Sequence, residues 1–391
     1  MHSKMQGFTA LLVSLLLPQV TYGQRVEEFP VEEEFAVGFD LGQSYGASAV
    51  FFNNGTTRNL AKVVGGQPYV DLMGRLLDQH YRPQESVGIF EETWRSWKRA
   101  FGFAPTDDAA TLAELISRLK IETEAILKES ISRVSITAPL IASWSDRELF
   151  DNDLNDAQVF AGLEPWTHDI SEPMYLAESR AALVGSKSEV CQLSADGKMQ
   201  DFQGQDRGVF FISFTKDSLH TEFTHTGCHH SGDSRERSVS TETEFGLGDL
   251  LRQDQQSFSW LELKLHLYFL TSEYLKWVQR IGISPDDLGI ILATGEASAT
   301  LEFRTILHDI ANMLPCMARY PDLAHHCTYP SSWEADGLQK RVELIHSAQY
   351  SLDPAFAAAR GAANWSWLRR EAENGEEGGR SGEEHWRKDL R

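Results

Sequence analysis

The sequence predicts an α/β protein made of two similar halves. Short apolar strands alternate with amphipathic helices through two successive rounds, and each round opens with a hairpin of strands before its first helix. At 41% hydrophobic and 10% aromatic residues, the composition is that of a packed globule and not of a disordered chain.

The first round begins with a strand over 35–41 (FAVGFDL), which ends in Asp40-Leu41-Gly42. A second strand covers 46–52, and Asn54-Gly55 turns the chain into a third. Residues 91–101 form an amphipathic, aromatic helix, and Trp94 and Trp97, three apart, predict a buried stripe on it. The segment 107–130 carries Leu112, Leu115, Ile116, Leu119, Ile126 and Leu127 at helical spacing, with Asp107 and Asp108 near its start. A strand over 134–138 stops at Pro139, and helices follow over 143–163 and 171–185.

The second round begins with a buried strand over 209–214 and its partner over 218–226. Leu261, Leu263, Leu265 and Leu267 alternate as in a strand, but the longer window to Ile281 reads as a helix. A buried strand over 288–293 precedes a helix starting at Ala297, and 354–370 is a helix rich in small residues.

The 391 residues carry 36 basic and 57 acidic side chains, a formal charge of −21. That balance excludes a binder of nucleic acid, whose affinity comes from clustered Lys and Arg, and adhesion to anionic lipid. Residues 1–23 read as a secretory signal peptide: Lys4 supplies the positive end, 8–20 the apolar run, and Thr21 and Gly23 the small residues before a cut at Gln24. The apolar run is short for a membrane span, and no later stretch is long enough, so no span is expected after cleavage. An acidic leader (24–34), a first lobe (35–185), a second lobe (186–370) and a disordered tail (371–391) complete the expected organisation.

That address places the chain in the secretory pathway, in the endoplasmic reticulum lumen or outside the cell. Cys191, Cys228, Cys316 and Cys327 then allow two disulfides in any of three pairings. The short local loop favours Cys316–Cys327, with Cys191–Cys228 as the other bond; four free thiols are the alternative. Asn54-Gly55-Thr56 and Asn364-Trp365-Ser366 are N-glycosylation sequons.

Several segments, in order, carry a resemblance. FAVGFDLGQSYGASAVFFNNG has a strand, an acid, a Gly and a second strand. It resembles the first phosphate hairpin of the actin, hexokinase and 70-kDa heat-shock chaperone ATPases. Lys98-Arg99-Ala100-Phe101-Gly102 resembles the chaperone segment that holds the catalytic lysine. VSITAP (134–139), Ala161-Gly162-Leu163, Ser171-Glu172-Pro173, GLGD (246–249), IILATGEAS (290–298) and DPAFAAARGAA (353–363) follow in the family's order. The resemblance implies an α/β, two-lobed, actin-like ATPase (ribonuclease H-like) fold with a shortened second-lobe insertion. It also implies roles. Asp40 would hold Mg²⁺ through water, with Lys98 and Glu172 beside it. Gly42, Gln43, Ser44, Tyr45, Ser213, Ser218 and Gly295 would line the nucleotide.

The departures bear most on function. At the second phosphate hairpin Ser213 stands where the family has a metal acid, and Thr215, Lys216 and Asp217 stand where it has glycines. Side chains there crowd a phosphate, and Asp217 repels it. Only about forty residues separate Asp249 from Gly295, where the chaperones place a helical subdomain. The expected function is therefore a non-catalytic binding or interaction module, with an unidentified protein or small-molecule ligand and no cofactor. The alternative is a weakly active ATPase using ATP and Mg²⁺.

Three further motifs have blander readings. Gly42-Gln43-Ser44-Tyr45-Gly46 matches the serine-hydrolase elbow, which needs a strand, a turn and a helix, and partners such as Asp146 or Asp151 and His229. Here a strand-like run follows. Cys228-His229-His230, with His220 and His225, and also His325-His326-Cys327, match no zinc spacing and read as solvated loops.

Overall fold

Strand β1 (Phe35–Leu41) is apolar almost throughout and buried on both faces, as a central strand requires. It pairs antiparallel with β2 (Tyr45–Phe52), which pairs antiparallel with β3 (Thr57–Val64). On its other side β1 runs parallel to β4 (Ser135–Ala138), and β4 runs parallel to β5 (Leu176–Ala177). The order of this first sheet is β3-β2-β1-β4-β5.

The structure, a computed structural model, describes residues 34–78, 89–141, 144, 153–166, 175–186, 191–193, 199–201, 208–225, 238–252, 256–282, 289–319, 343–345 and 353–371. The expected signal peptide, the leader before Glu34 and the tail after Glu371 lie outside them. The described residues belong to one compact unit.

A second sheet repeats the first. After a small hairpin, β6 (Cys191–Leu193) and β7 (Met199–Asp201), come β8 (Gly208–Phe214), β9 (Leu219–His225), β10 (Ser238–Glu242), β11 (Ile290–Thr294) and β12 (Glu343–Ile345). They lie in the order β10-β9-β8-β11-β12, with the same sequence of antiparallel and parallel pairings. The chain is thus a mixed α/β protein in which, among the described residues, two five-stranded sheets share one topology.

The first half carries α1 (Gln67–Leu76), α2 (Ile89–Ala100), α3 (Asp107–Leu127), α4 (Asp153–Phe160) and α5 (Glu178–Gly185). Thr106 caps α3, its hydroxyl accepting from the Ala109 N–H at 3.0 Å, and Lys128 ends it in the left-handed conformation. In the second half, α6 (Leu247–Arg252) precedes the long α7 (Gln256–Arg280), and α8 (Leu301–Arg319) follows β11. A 3₁₀ turn (Pro354–Phe356) leads into the closing helix α9, residues 357–371.

Period-two alternation divides β8 between two cores. Phe210, Ile212 and Phe214 face α7 and α8, where they meet Leu263, Leu267, Tyr274, Phe303 and Leu307. Val209 and Phe211 face the other way, toward Ala181 and Ala182 of α5 and Ala357, Ala358 and Trp365 of α9. Tyr45, Ala47, Ala49 and Phe51 of β2 also pack on α9. Helix α9 therefore touches both sheets. The crossing of α5 and α9 is close: a Cβ on Gly361 would lie 1.9 Å from the Ala181 carbonyl oxygen, and one on Gly185 would lie 1.9 Å from that of Ala357. Arg360, buried in the same place, donates to the Gly185 carbonyl at 2.8 Å, to Asn59 Oδ1 at 3.1 Å and to the Asp353 carbonyl at 3.2 Å.

Three expectations change, and one open reading is decided. The segment 171–185 is no single helix: Leu176–Ala177 form a strand and α5 starts only at Glu178, because the chain must first add β5 to the sheet. The helix after β11 starts at Leu301 instead of Ala297, which forms part of a turn. The alternating leucines from Leu261 to Leu267 lie within the helix Gln256–Arg280, as the longer window predicts. Trp94 and Trp97 are not buried. They are 49% and 47% exposed, and their rings stack on each other at 5.0 Å. Helix α2 is tied down by polar contacts instead: Arg99 pairs with Asp156 at 2.6 Å, and Lys98 donates to the Pro105 carbonyl. Three-residue spacing puts two rings on one face but does not say which way that face points.

Candidate functional site

The ends of four strands and the start of one helix meet at one place. Asp40 near the end of β1 sits beside Thr137 of β4 in the register of the first sheet. Ser213 near the end of β8 sits beside Thr294 of β11 in that of the second. Glu178, the first residue of α5, joins the two: its Oε1 accepts from Ser213 Oγ at 2.9 Å and from Thr294 Oγ1 at 3.5 Å. Asp40 and Glu178 are each 1% exposed. Asp40 Oδ1, Glu178 Oε2, Thr137 Oγ1 and Gln43 Nε2 are buried without a hydrogen-bond partner. That concentration of unsatisfied polar atoms sets this floor apart from an ordinary core.

The electrostatics follow from burial. Loss of water holds the Asp40 carboxyl well above the usual carboxylate range, and the nearby Glu178 adds to this. Burial pushes Glu178 up to about 7; the Ser213 hydrogen bond opposes it, Glu222 adds to it, and Thr294 opposes it. The phenols of Tyr45 and Tyr69 are raised by burial and then by the same two carboxyls.

Two loops close over this floor. The first, Gly42-Gln43-Ser44, joins β1 to β2, and Tyr69 Oη donates to the Gly42 carbonyl at 2.5 Å. The second, Thr215 to Ser218, joins β8 to β9. All four of its backbone N–H groups are bonded within the protein. Thr215 donates to the Ser218 carbonyl (2.9 Å), Asp217 and Ser218 donate to Thr215 Oγ1 (3.3 and 3.1 Å), and Lys216 donates to Glu296 Oε1 (3.4 Å). The loop's carbonyls are also engaged, because Thr215 and Lys216 accept from Leu247 and Gly248 at the start of α6.

The loops also hold each other. Ser218 Oγ donates to Gln43 Oε1, and Ser44 Oγ donates to Glu296 Oε1 at 3.3 Å, while Lys62 Nζ lies 3.7 Å from Glu296 Oε2. Glu296 therefore receives donors from both loops. Its position is set by Gly295, which takes φ +89° with no room for a Cβ, since one would lie 2.3 Å from the Phe214 carbonyl oxygen. Gly295 thus packs on the end of β8.

The structure brings together Asp40, Gly42, Gln43, Ser44, Tyr45, Ser213, Ser218 and Gly295 from the sequence-based set. Lys98 does not join them through any described bond; its ammonium is held by the Pro105 carbonyl at 2.9 Å. Glu172 lies outside the described residues. Sequence reasoning missed Glu178 and Glu296. A Glu at the first turn of a helix that follows a strand, and an acid directly after a Gly turn, were the available signals.

The strand expected after Ser44 is present in place of the helix that a hydrolase elbow needs: Ser44 stands between two antiparallel strands, and its hydroxyl is bonded to Glu296. His229, Asp146 and Asp151 lie outside the described residues. So do Cys228, His230, Cys327, His325 and His326, and the side chains of Cys191 and His225. His220 is buried, with Nδ1 2.8 Å from Thr241 Oγ1, and burial lowers it to about 4. Among the described residues no group of three or more His, Cys, Asp or Glu is arranged to hold a metal. Among them, too, no helix is long and apolar enough to cross a membrane. Cys316 is disulfide-bonded. The two sequons differ: Asn54 is exposed in the β2–β3 turn, while Asn364 is 9% exposed on α9. No protein-family model matches the chain, and no curated protein matches it either.

Proposed function

We propose that the chain is a secretory-pathway relative of the 70-kDa chaperone nucleotide-binding domains. Its fold is the two-lobed, actin-like (ribonuclease H-like) one, with lobes over 35–185 and 186–370. It acts as a non-catalytic binding or interaction module for a protein or small-molecule ligand. The repeated strand order of the two sheets supports the fold, as do Asp40 and Ser213 at equivalent strand ends. The bonded Cys316 supports an oxidising compartment.

One observation carries the non-catalytic part: every backbone N–H of the Thr215–Ser218 loop is already taken by the protein's own oxygens. Phosphoryl transfer relies on preorganised donors at the phosphates. Here Glu296, an anion of the chain itself, accepts from donors that a polyphosphate would need. Each donor lost from such a site costs several kcal/mol of transition-state stabilisation, of order 3.

The second reading, a weakly active Mg-dependent ATPase, is favoured by the floor. Asp40 Oδ1, Glu178 Oε2 and Thr137 Oγ1 are hard oxygen donors without partners, a set that fits a hydrated Mg²⁺. Asp40 and Glu178 would hold the ion's waters, and when bound it would neutralise phosphate charge. Titration calorimetry with Mg·ATP separates the two readings. The non-catalytic reading expects no saturable heat from the wild-type chain, with any gain confined to Glu296→Gly. Saturable binding and turnover by the wild type, abolished in Asp40→Ala, favours the second.

A further inference from the structure

Two sequons occur in the chain, and the fold treats them oppositely. Asn54 begins the tight turn between β2 and β3, where residues 53–56 are all exposed and Gly55 takes φ +81°. Its side-chain carbonyl accepts from the Thr56 N–H at 2.9 Å and from Thr56 Oγ1 at 2.6 Å. The sequon's amide and hydroxyl are thus locked together at the tip of a hairpin, and Gly55 has nothing within 4 Å of where a Cβ would stand. The turn is rigid at its base, where Phe52 and Thr56 are joined by a 2.9 Å backbone bond and Asn53 donates to the Glu34 carbonyl.

Asn364 sits on α9, which fills the space against both sheets. Its Oδ1 is buried, and its neighbours Trp365 and Ser366 are 5% and 2% exposed. One turn earlier, Gly361 touches the backbone of α5. A bulky, hydrated oligosaccharide on Asn364 and a docked α9 exclude each other.

We propose that Asn54 is a site of N-linked glycosylation in the folded protein, and that Asn364, despite its equal sequon, is not. The donor class is an oligosaccharide on a polyisoprenyl diphosphate. The bond from Asn54 Nδ2 to the sugar C1 forms as the C1–O bond to the diphosphate breaks. The diphosphate leaves with the electron pair, and the amide gives one proton to the transferring enzyme. A chain that receives a glycan at Asn364 before folding cannot dock α9 and is absent from the folded fraction. The glycan on Asn54 projects from the hairpin tip and leaves the core untouched. The inference rests on the secretory reading of the chain.

The test is expression of the full chain in a eukaryotic secretory host, followed by intact mass and peptide mapping of the folded protein before and after peptide N-glycosidase. One glycan is expected, at Asn54, on a chain that begins at Gln24. It is lost in Asn54→Gln and in Thr56→Ala, and kept in Thr56→Ser and in Asn364→Gln. Thr56→Ala leaves Asn54 in place, so its result does not depend on tolerance of Gln in the turn. A processed, folded chain with bare Asn54, or with a glycan on Asn364, overturns the proposal alone. A chain that keeps residues 1–23 and never reaches the lumen overturns the secretory reading and takes the proposal with it.

Discussion

Gly361→Ala gives a prediction whose sign is decided by packing. In an exposed helix interior, replacing Gly by Ala stabilises by about 1 kcal/mol through backbone entropy. Gly74 of α1 is such a position: it is exposed, and a Cβ there meets nothing within 4 Å. Gly361 of α9 is the opposite. Its Cβ would lie 1.9, 2.5 and 2.8 Å from backbone atoms of Ala181, none of which can rotate away. Ordinary contact begins at 3.4 Å, so α5 and α9 must part by about 1.5 Å along the crossing. Overpacking of a tight core costs about 1–3 kcal/mol, and opening this crossing also weakens the three Arg360 hydrogen bonds. The net expectation is a loss of about 2 kcal/mol for Gly361→Ala and a gain of up to about 1 kcal/mol for Gly74→Ala. Denaturant unfolding of both variants beside the wild type reads the difference directly. Two glycine substitutions that both stabilise would refute the docking of α9 on α5.

Four further outcomes follow from the same geometry. Burial raises Glu178 from 4.5 to about 7, so between those values the folded chain keeps a proton that the unfolded chain has released. Its stabilising contribution is therefore complete below 4.5 and is lost as pH rises through 7, and Glu178→Gln should flatten that side of a melting-versus-pH curve. His220, lowered from 6.5 to about 4, acts with the opposite sign: stability is lost as pH falls below 6.5 toward 4, a loss that His220→Gln should remove. Glu296→Ala should cost about 1 kcal/mol, since its two bonds are long and the group is partly exposed; an unchanged midpoint would mean that Glu296 does not hold the loops. Reduction of the Cys316 disulfide should lower stability by about 2–4 kcal/mol, read as a drop in Tm with added thiol.

Much of the scaffold was legible because its signals are local. The apolar run 35–41, the Asn54-Gly55 turn and the buried run from 209 to 214 each specify a strand or turn within a few residues. Asp40 and Ser213 could be located at their strand ends for the same reason. The site's closure was not legible, because it depends on contacts such as Gln43 with Ser218 and Ser44 with Glu296, between residues 175 and 252 positions apart. Glu178 escapes the sequence because Ser171-Glu172-Pro173 matches the tripeptide, while the acid that starts the helix after β5 lies six residues beyond Glu172. The exposure of Trp94 and Trp97 is not legible because periodicity reports a face, and only the partners of α2 report its direction.

The central claim is that a kept scaffold encloses a cleft its own side chains have closed to nucleotide. The most direct measurement is the Tm of the wild-type protein with and without millimolar Mg·ATP. A ligand at about 100 times its Kd adds about 2.7 kcal/mol, enough for a shift of at least a few degrees. The account predicts an unmoved Tm. A shift that vanishes in Asp40→Ala would contradict it.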